Sequence, residues 1–422
     1  MNLLIVSNQT IKAKMAGPAI RYFNIYNSFK NLYNCKLMSP RYKDINNDKN
    51  IIKLNIWSFI KELKSSDIIV SQPSRFKYLL LSRLLNKKIV IDLYDPMDIE
   101  NLEMYKESNN FKTRMKLMYT HLRLKFSIMI GDYFLCANEI QRDYWIGYLC
   151  GLERVNKKNY EINDKLENLI GYMPYGINAS VPTKSNNVLR GVVKGINKDD
   201  IILIWAGGIW NWFDTKNLIK AMNLISKEND KVKLVFLGVP SDYKENEKFK
   251  KVRETIELSN ELDLTGKSIF FNMDWVDYDK RHNFLLESDI GISTHFDHME
   301  TRFSFRTRIL DYLWVDLPFL SSDNDFFANF SKKNKLGYVA KCNDYIDIYN
   351  GIKYLLDVET RKKCSINIAK HKEVFLWENC FKDLKKFCDN PYKTYGKIGR
   401  IRSVIFVFKS MLKVISSILI KE

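Results

Sequence analysis

The chain has 422 residues, too many for one hydrophobic core, so two domains, or two and a tail, are expected. Its 46% hydrophobic and 27% charged content excludes a disordered or fibrous chain. A formal charge of +18 points to an anionic partner (lipid, nucleic acid or phosphorylated substrate), or to a bias towards Lys and Asn that selects none.

Met1-Asn2-Leu3-Leu4-Ile5-Val6 is apolar, short and not preceded by basic residues, so it reads as a buried strand rather than a secretory signal. Strand and helix then alternate. Leu3–Ser7, Asp67–Ser71, Lys88–Leu93 and Tyr133–Ala137 read as strands; Ala19–Tyr33 and Phe76–Leu85 carry apolar residues at helical spacing. Such alternation implies a parallel sheet covered on both faces. Gly171–Asn178 has turn chemistry, and the polar segment Ser180–Lys198 reads as a linker.

A second alternating unit follows. Ile201–Trp205 runs into Ala206-Gly207-Gly208; Lys233–Leu237, Ser268–Phe271, Ile290–Ser293 and Pro318–Ser321 read as further strands, with helices over Thr215–Ile225 and Lys280–Glu287. The predicted fold class is α/β, with two Rossmann-like doubly wound domains over 1–185 and 186–390. The closing helical segment Lys370–Phe387 is grouped with the second domain. Residues 391–422 form a tail with seven basic residues and one acidic. Its apolar residues recur at helical spacing from Ile401 to Leu419, the pattern of an amphipathic helix on an anionic membrane. Phe111–Ile130 is a second basic helix without acidic residues. No window holds eighteen uninterrupted apolar residues, so no spanning helix is expected. The seven cysteines are scattered and form no CxxC, as reduced cytosolic thiols would.

The stretch from Ser293 to Pro318 carries the most chemistry. After the strand Ile290–Ser293 it gathers His295, Asp297, His298, Glu300, Arg302, Arg306, Arg308 and Asp311. The carboxyl end of a strand in an open α/β sheet is where ligands bind. Arginine forks there suit phosphate, and carboxylates suit sugar hydroxyls. His295, Asp297, His298 and Glu300 also have the residue types of a metal site, although the spacing is not a familiar zinc pattern and the arginines would oppose a cation.

Five places together resemble the group 1 glycosyltransferases, the retaining family 4 (GT4) class. These are Met15–Tyr22 with Gly17, Asp92-Leu93-Tyr94-Asp95-Pro96, Met173-Pro174-Tyr175-Gly176-Ile177-Asn178, Ile204–Trp210, and Arg308–Leu313 followed by Leu317-Pro318. The resemblance covers roughly residues 1 to 390 and implies the GT-B architecture, two facing Rossmann-like domains. It implies a nucleotide diphosphate sugar as donor and no metal cofactor. For donor binding it points to Gly17, Arg21, Gly207, Gly208, Trp275, Val276, Asp297, Arg302, Arg306, Arg308 and Asp311, with Asp311 in the place of the family's ribose-binding glutamate. Tyr94, Asp95 and Glu300 are the implied catalytic residues.

Two departures stand out. The glycine turn Gly207–Asp214 lacks the family's Arg and Lys, with no cation before Lys216. Phe303, not an acid, precedes Asp311 by eight residues. Arg302, Arg306 and Arg308 are therefore the candidates for meeting the leaving charge. A saccharide or lipid-linked saccharide acceptor is expected, with the enzyme cytoplasmic and held peripherally at the inner membrane face. No nucleic-acid recognition motif is present. The competing readings are a metal-dependent enzyme built on the His295 loop, a non-catalytic GT-B-like scaffold, and a basic nucleic-acid-binding protein.

Overall fold

The structure is a computed structural model. It describes the chain except residues 13–14, 16, 44–47, 109, 241, 244–248, 274–275, 278–279, 395–400, 402–403, 407, 410–411 and 413–422, and the side chains at 42 and 43. Two units result: Met1–Gly176 together with Trp377–Glu422, and Ile177–Leu376.

The first unit contains strands β1 (Asn2–Val6), β2 (Ile11–Lys12), β3 (Asn34–Ser39), β4 (Tyr42–Lys43), β5 (Ile51–Lys53), β6 (Ile68–Ser71), β7 (Lys88–Asp92), β8 (Tyr133–Cys136) and β9 (Ile170–Tyr172). Seven of them form a parallel sheet ordered β5-β3-β1-β6-β7-β8-β9, and β2 pairs with β4. All residues of β6 and β8 are buried, which explains their uninterrupted apolar runs. Helices on the faces begin at asparagines. Asn55, Asn110 and Asn138 each accept a backbone N–H of the first turn, a contact worth about 1 kcal/mol. Part of the Asn abundance thus has a structural use.

The second unit contains β10 (Ile201–Gly208), β11 (Val232–Gly238), β12 (Ile269–Phe271), β13 (Ile290–Ser293), β14 (Phe319–Ser322) and β15 (Gly337–Ala340). They pair in parallel in the order β12-β11-β10-β13-β14-β15. In each sheet the winding direction reverses at the centre, between β1 and β6 and between β10 and β13. Such a reversal opens a crevice at the carboxyl ends of the strands.

Three expectations need correction. The first unit ends at Gly176, not near residue 185. The segment 180–198 is no free linker: Leu189 and Ile196 are buried against Ile202, Val235 and Phe270, and Glu287 accepts the backbone N–H groups of Val188, Leu189 and Arg190. The closing helices Trp377–Cys380 and Lys382–Asp389 return to the first unit. There Phe381 meets Phe29 edge-on at 6.0 Å, Phe387 stacks on Tyr133 at 4.8 Å, and Asp383 accepts Tyr172 N–H at 2.7 Å. Helical spacing reveals an apolar face, but not which core receives it.

The tail starts on the same unit. Thr394 N–H donates to Asp132, and Phe406 stacks on Phe126 at 5.7 Å. Ile401, Val404, Ile405, Phe408 and Leu412 are each between 47% and 63% exposed. Residues 413–422, which hold the rest of the amphipathic pattern, lie outside the described residues. Among the described residues no helix is long and apolar enough to cross a membrane.

Candidate functional site

The central crevice of the second sheet is built on two glycines. Gly207, near the end of β10, has φ +112°, a conformation open to glycine and strained for other residues. A Cβ on Gly238, at the end of β11, would sit 2.6 Å from the carbonyl carbon of Gly207. The two strand ends approach as closely as bare backbone allows. They wall a cavity of about 590 Å³, within the range of small-molecule and cofactor sites. Leu237, Val239, Met273, Val276 and Leu285 make it largely apolar, and Trp210 closes one side, with its ring 6.0 Å from that of Trp212 and 6.3 Å from that of Phe249. Its charged lining, among the described residues, is Asp242, Arg281 and Asp311.

The helix Thr307–Trp314 aims Asp311. Its next residue, Tyr312, is fully buried, with its hydroxyl 2.9 Å from the carbonyl of Ile204 and 2.7 Å from that of Ile292, while accepting Ala206 N–H. That bridge ties β10 to β13 and fixes the helix rotation. Asp311, about 100° further round, then reaches the cavity. Arg281 binds its Oδ1 through Nε at 3.1 Å and Nη2 at 2.8 Å.

Arg308 is buried between the rings of Trp205 and Phe213, at 4.0 and 4.3 Å. Its Nε donates to Ala206 O and its Nη2 to Gly208 O, both at 2.6 Å, while Nη1 has no hydrogen-bond partner among the described residues. Burial, aided by Arg306, lowers its pKa to about 10. Arg306 forks onto Glu300 at 2.8 and 2.6 Å. His295 is buried, with Nε2 3.1 Å from Asp323 O; burial and the charge of Arg306 hold it neutral. Nearby Asp325 is pushed up to about 7, chiefly by burial.

In the first unit Gly17 opens the helix Gly17–Phe29 behind β1. Arg21 is fully buried. Its guanidinium donates to both oxygens of Asp92, at 2.9 and 3.0 Å, and to the carbonyls of Met173 and Pro174. Tyr94 lies under it, 4.5 Å from ring centroid to guanidinium, and burial together with Asp95 raises its phenol above the ordinary range. Tyr94 and Asp95 follow the carboxyl end of β7.

Gly207, Gly208, Val276 and Asp311 thus share one cavity. Trp275 lies outside the described residues. Arg21 departs from the expected phosphate role, because every nitrogen of its guanidinium is held inside the first unit. Asp297 and Arg302 are exposed and do not line the cavity, and Arg302 lies against Phe303. Glu300 faces Arg306 instead of presenting a bare carboxylate. The metal reading of the His295 loop fares no better. Asp297 is exposed and Glu300 is paired, and no cluster of three or more potential ligands forms among the described residues. Arg281 and Trp210 had no role in the sequence reading. Arg281 stands thirty residues before Asp311, a separation that no local pattern reports.

Two successive parallel sheets with flanking helices, and a ligand-sized cavity at a switch point, define a GT-B protein. Residues 192–371 match the family Glycosyl transferases group 1. Solved structures share the fold. Anabaena Alr3699/HepE in complex with UDP and glucose superposes with TM-score 0.64 at 11% identity, over 92% of this chain and 99% of that one. WaaG, a glycosyltransferase involved in lipopolysaccharide biosynthesis, gives 0.60 at 11%, over 92% and 100%. Sucrose-phosphate synthase from Thermosynechococcus elongatus gives 0.59 at 11%, over 92% and 98%. No curated protein matches the sequence.

Proposed function

We propose that the chain is a retaining, GT4-type glycosyltransferase, taking a sugar from a nucleotide diphosphate donor to a saccharide or lipid-linked saccharide in cell-surface polysaccharide synthesis. The observation that carries the donor side is the glycine-walled cavity with Asp311 on its lining. An apolar pocket suits a nucleobase, and a carboxylate on its wall accepts the hydroxyls of a ribose. Anabaena HepE, of the same fold, was solved in complex with UDP and with UDP-glucose, which favours a nucleotide sugar here.

In this reading, chemistry rests on positioning and on charge. Gly207 and Gly208 let backbone approach the diphosphate. Arg308, the bound Arg306 and the amino end of the helix Thr307–Trp314 bring positive potential to the departing phosphate. The leaving phosphate then helps to deprotonate the acceptor hydroxyl on the same face of the sugar, a course that requires neither an enzymic nucleophile nor a metal cofactor. Tyr94 and Asp95 are assigned to orienting sugar or acceptor, and Gly17 to the donor's charge at its helix start. The exposed apolar residues of the tail beside its cations support peripheral attachment of a cytoplasmic enzyme to an anionic inner membrane face.

Thermal melting with UDP-, GDP- and ADP-sugars tests the donor site. A donor that binds the folded state raises the melting temperature. Asp311→Ala should erase the shift, and a retained shift refutes the ribose assignment. No shift with any donor refutes the donor reading itself. Sedimentation with phosphatidylglycerol against phosphatidylcholine vesicles tests attachment: equal binding to both, or a preference for duplex DNA, would remove the membrane assignment.

A further inference from the structure

The glycine turn after β10 carries aromatic rings where it lacks charge. Between Gly207 and Asp214 there is no Lys or Arg, but there are Trp210, Trp212 and Phe213. Two of the three are core residues: Trp212 and Phe213 are buried, and Phe213 meets Trp205 edge-on at 5.1 Å. Trp210 differs, being half-buried and part of the cavity wall.

The turn holds Trp210 in place. Phe213 N–H donates to Trp210 O at 3.0 Å, Phe296 N–H to Trp212 O at 3.2 Å, and Asp214 N–H to Thr294 O at 3.1 Å. Thr294 Oγ1 donates back to Asp214 O at 2.7 Å. These bonds fasten the turn to the segment that follows β13. The indole is positioned as well. Its centroid is 6.0 Å from that of Trp212 with 27° between the planes, and 6.3 Å from that of Phe249 with 37°. A Cβ on Gly208 would come within 3.3 Å of Trp210 Nε1, so the glycine leaves the ring room beside the turn.

A nucleobase presents flat π faces, and aromatic side chains bind such faces by stacking whatever the base. Among the described residues that line the cavity, only Trp210 and Phe249 are aromatic. With the ribose on Asp311, the base it carries falls within the same apolar cavity. Stacking requires no charge, which fits a turn that has none.

We propose that Trp210 is a donor-binding residue on whose indole the nucleobase stacks, so that the side chains of this turn recognise the nucleoside through a ring and not the diphosphate through a cation. This rests on the nucleotide-sugar reading above.

Calorimetric titration of the full chain with UDP, GDP and ADP, in about 0.05 M and about 0.5 M salt, tests the assignment on Trp210→Phe and Trp210→Leu beside the native chain. Phe keeps an aromatic face, and Leu keeps apolar bulk without one. For the diphosphate that binds, Trp210→Leu should weaken binding about tenfold or more, and Trp210→Phe by less than about threefold. The loss in Trp210→Leu should be the same in both salts, because stacking is not screened. Equal losses in the two variants would overturn stacking and leave the indole N–H as the contact. A loss that shrinks in high salt would move the effect to the phosphates, against the proposal. Native-like binding by Trp210→Leu would end it outright. Tryptophan fluorescence gives a readout that a packing role alone would not move: it should change when the native chain binds, and Trp210→Phe should bind with most of that change gone. An undiminished change in Trp210→Phe would count against the stack, and unliganded melting of each variant reports any folding defect. A native chain that binds none of the three diphosphates defeats the donor reading, and the proposal with it; native binding with unaffected variants defeats the proposal alone.

Discussion

Each unit buries an arginine at the carboxyl side of its strands, and the two differ in what surrounds them. Arg21 meets a carboxylate, Asp92, that takes two of its donors, and two carbonyls take others. Burial opposes its charge, but Asp92 more than offsets this, and its pKa is raised. Among the described residues Arg308 meets only carbonyls and aromatic faces, and Nη1 has no hydrogen-bond partner; burial prevails, and its pKa falls to about 10. A neutralised buried ion pair is a structural device. A buried cation with no carboxylate bonded to it is costly for folding and gives an anion a reason to bind. The comparison separates scaffold from site within one repeated architecture.

Breaking the first pair should have the largest effect. Arg21→Ala leaves Asp92 charged, buried and alone, and should cost about 3–5 kcal/mol in urea unfolding. A loss below about 1 kcal/mol would show that the pair is not the structural device described. Arg308→Met removes an uncompensated charge at similar volume. Its cost should be smaller, about 1–2 kcal/mol for the two carbonyls left without donors, while transferase activity falls at least tenfold. If stability and activity respond to Arg308→Met as they do to Arg21→Ala, the distinction fails.

Gly207→Ala sharpens the comparison at the backbone. A Cβ there has room, with Arg308 atoms 3.8 Å away, so the penalty comes from φ +112°. About 1–3 kcal/mol is expected from melting, and a neutral substitution would show that the turn is free to relax.

A further effect concerns pH. Asp325 is a carboxyl raised to about 7 in the folded state, so the folded chain holds its proton where the unfolded chain has lost it. Stability from this group is therefore full below about pH 4 and is lost as pH rises towards 7. Asp325→Asn keeps a side-chain oxygen to cap the helix Phe326–Asn334, and should make the melting temperature less sensitive to pH between 4 and 7. An unchanged profile would place the proton elsewhere.

Much of the architecture could be read from local chemistry. Buried parallel strands carry short apolar runs, so Ile68–Ser71, Lys88–Asp92 and Ile290–Ser293 stand out. Strands β2, β3, β4, β5, β9 and β15 are not legible in this way: all but β3 have only two to four residues, and β3 is broken by Asn34 and Lys36 at its exposed start. At the site, Gly207, Gly208 and Asp311 could be recognised because each lies in a short motif with its own backbone logic. Arg281 could not, and Arg21 was misjudged because its partners stand 71, 152 and 153 residues away.

The sequence alone determined the alternation of strand and helix, the glycine turn after β10 and the acid-bearing helix behind β13. These depend on steric and solvation preferences felt within a few residues. Tertiary structure decided which unit receives the closing helices, which arginines are neutralised by a carboxylate and which one lines the cavity. Charge and burial are set by neighbours brought together through space, and a side chain's chemistry changes with those neighbours while its letter in the sequence does not.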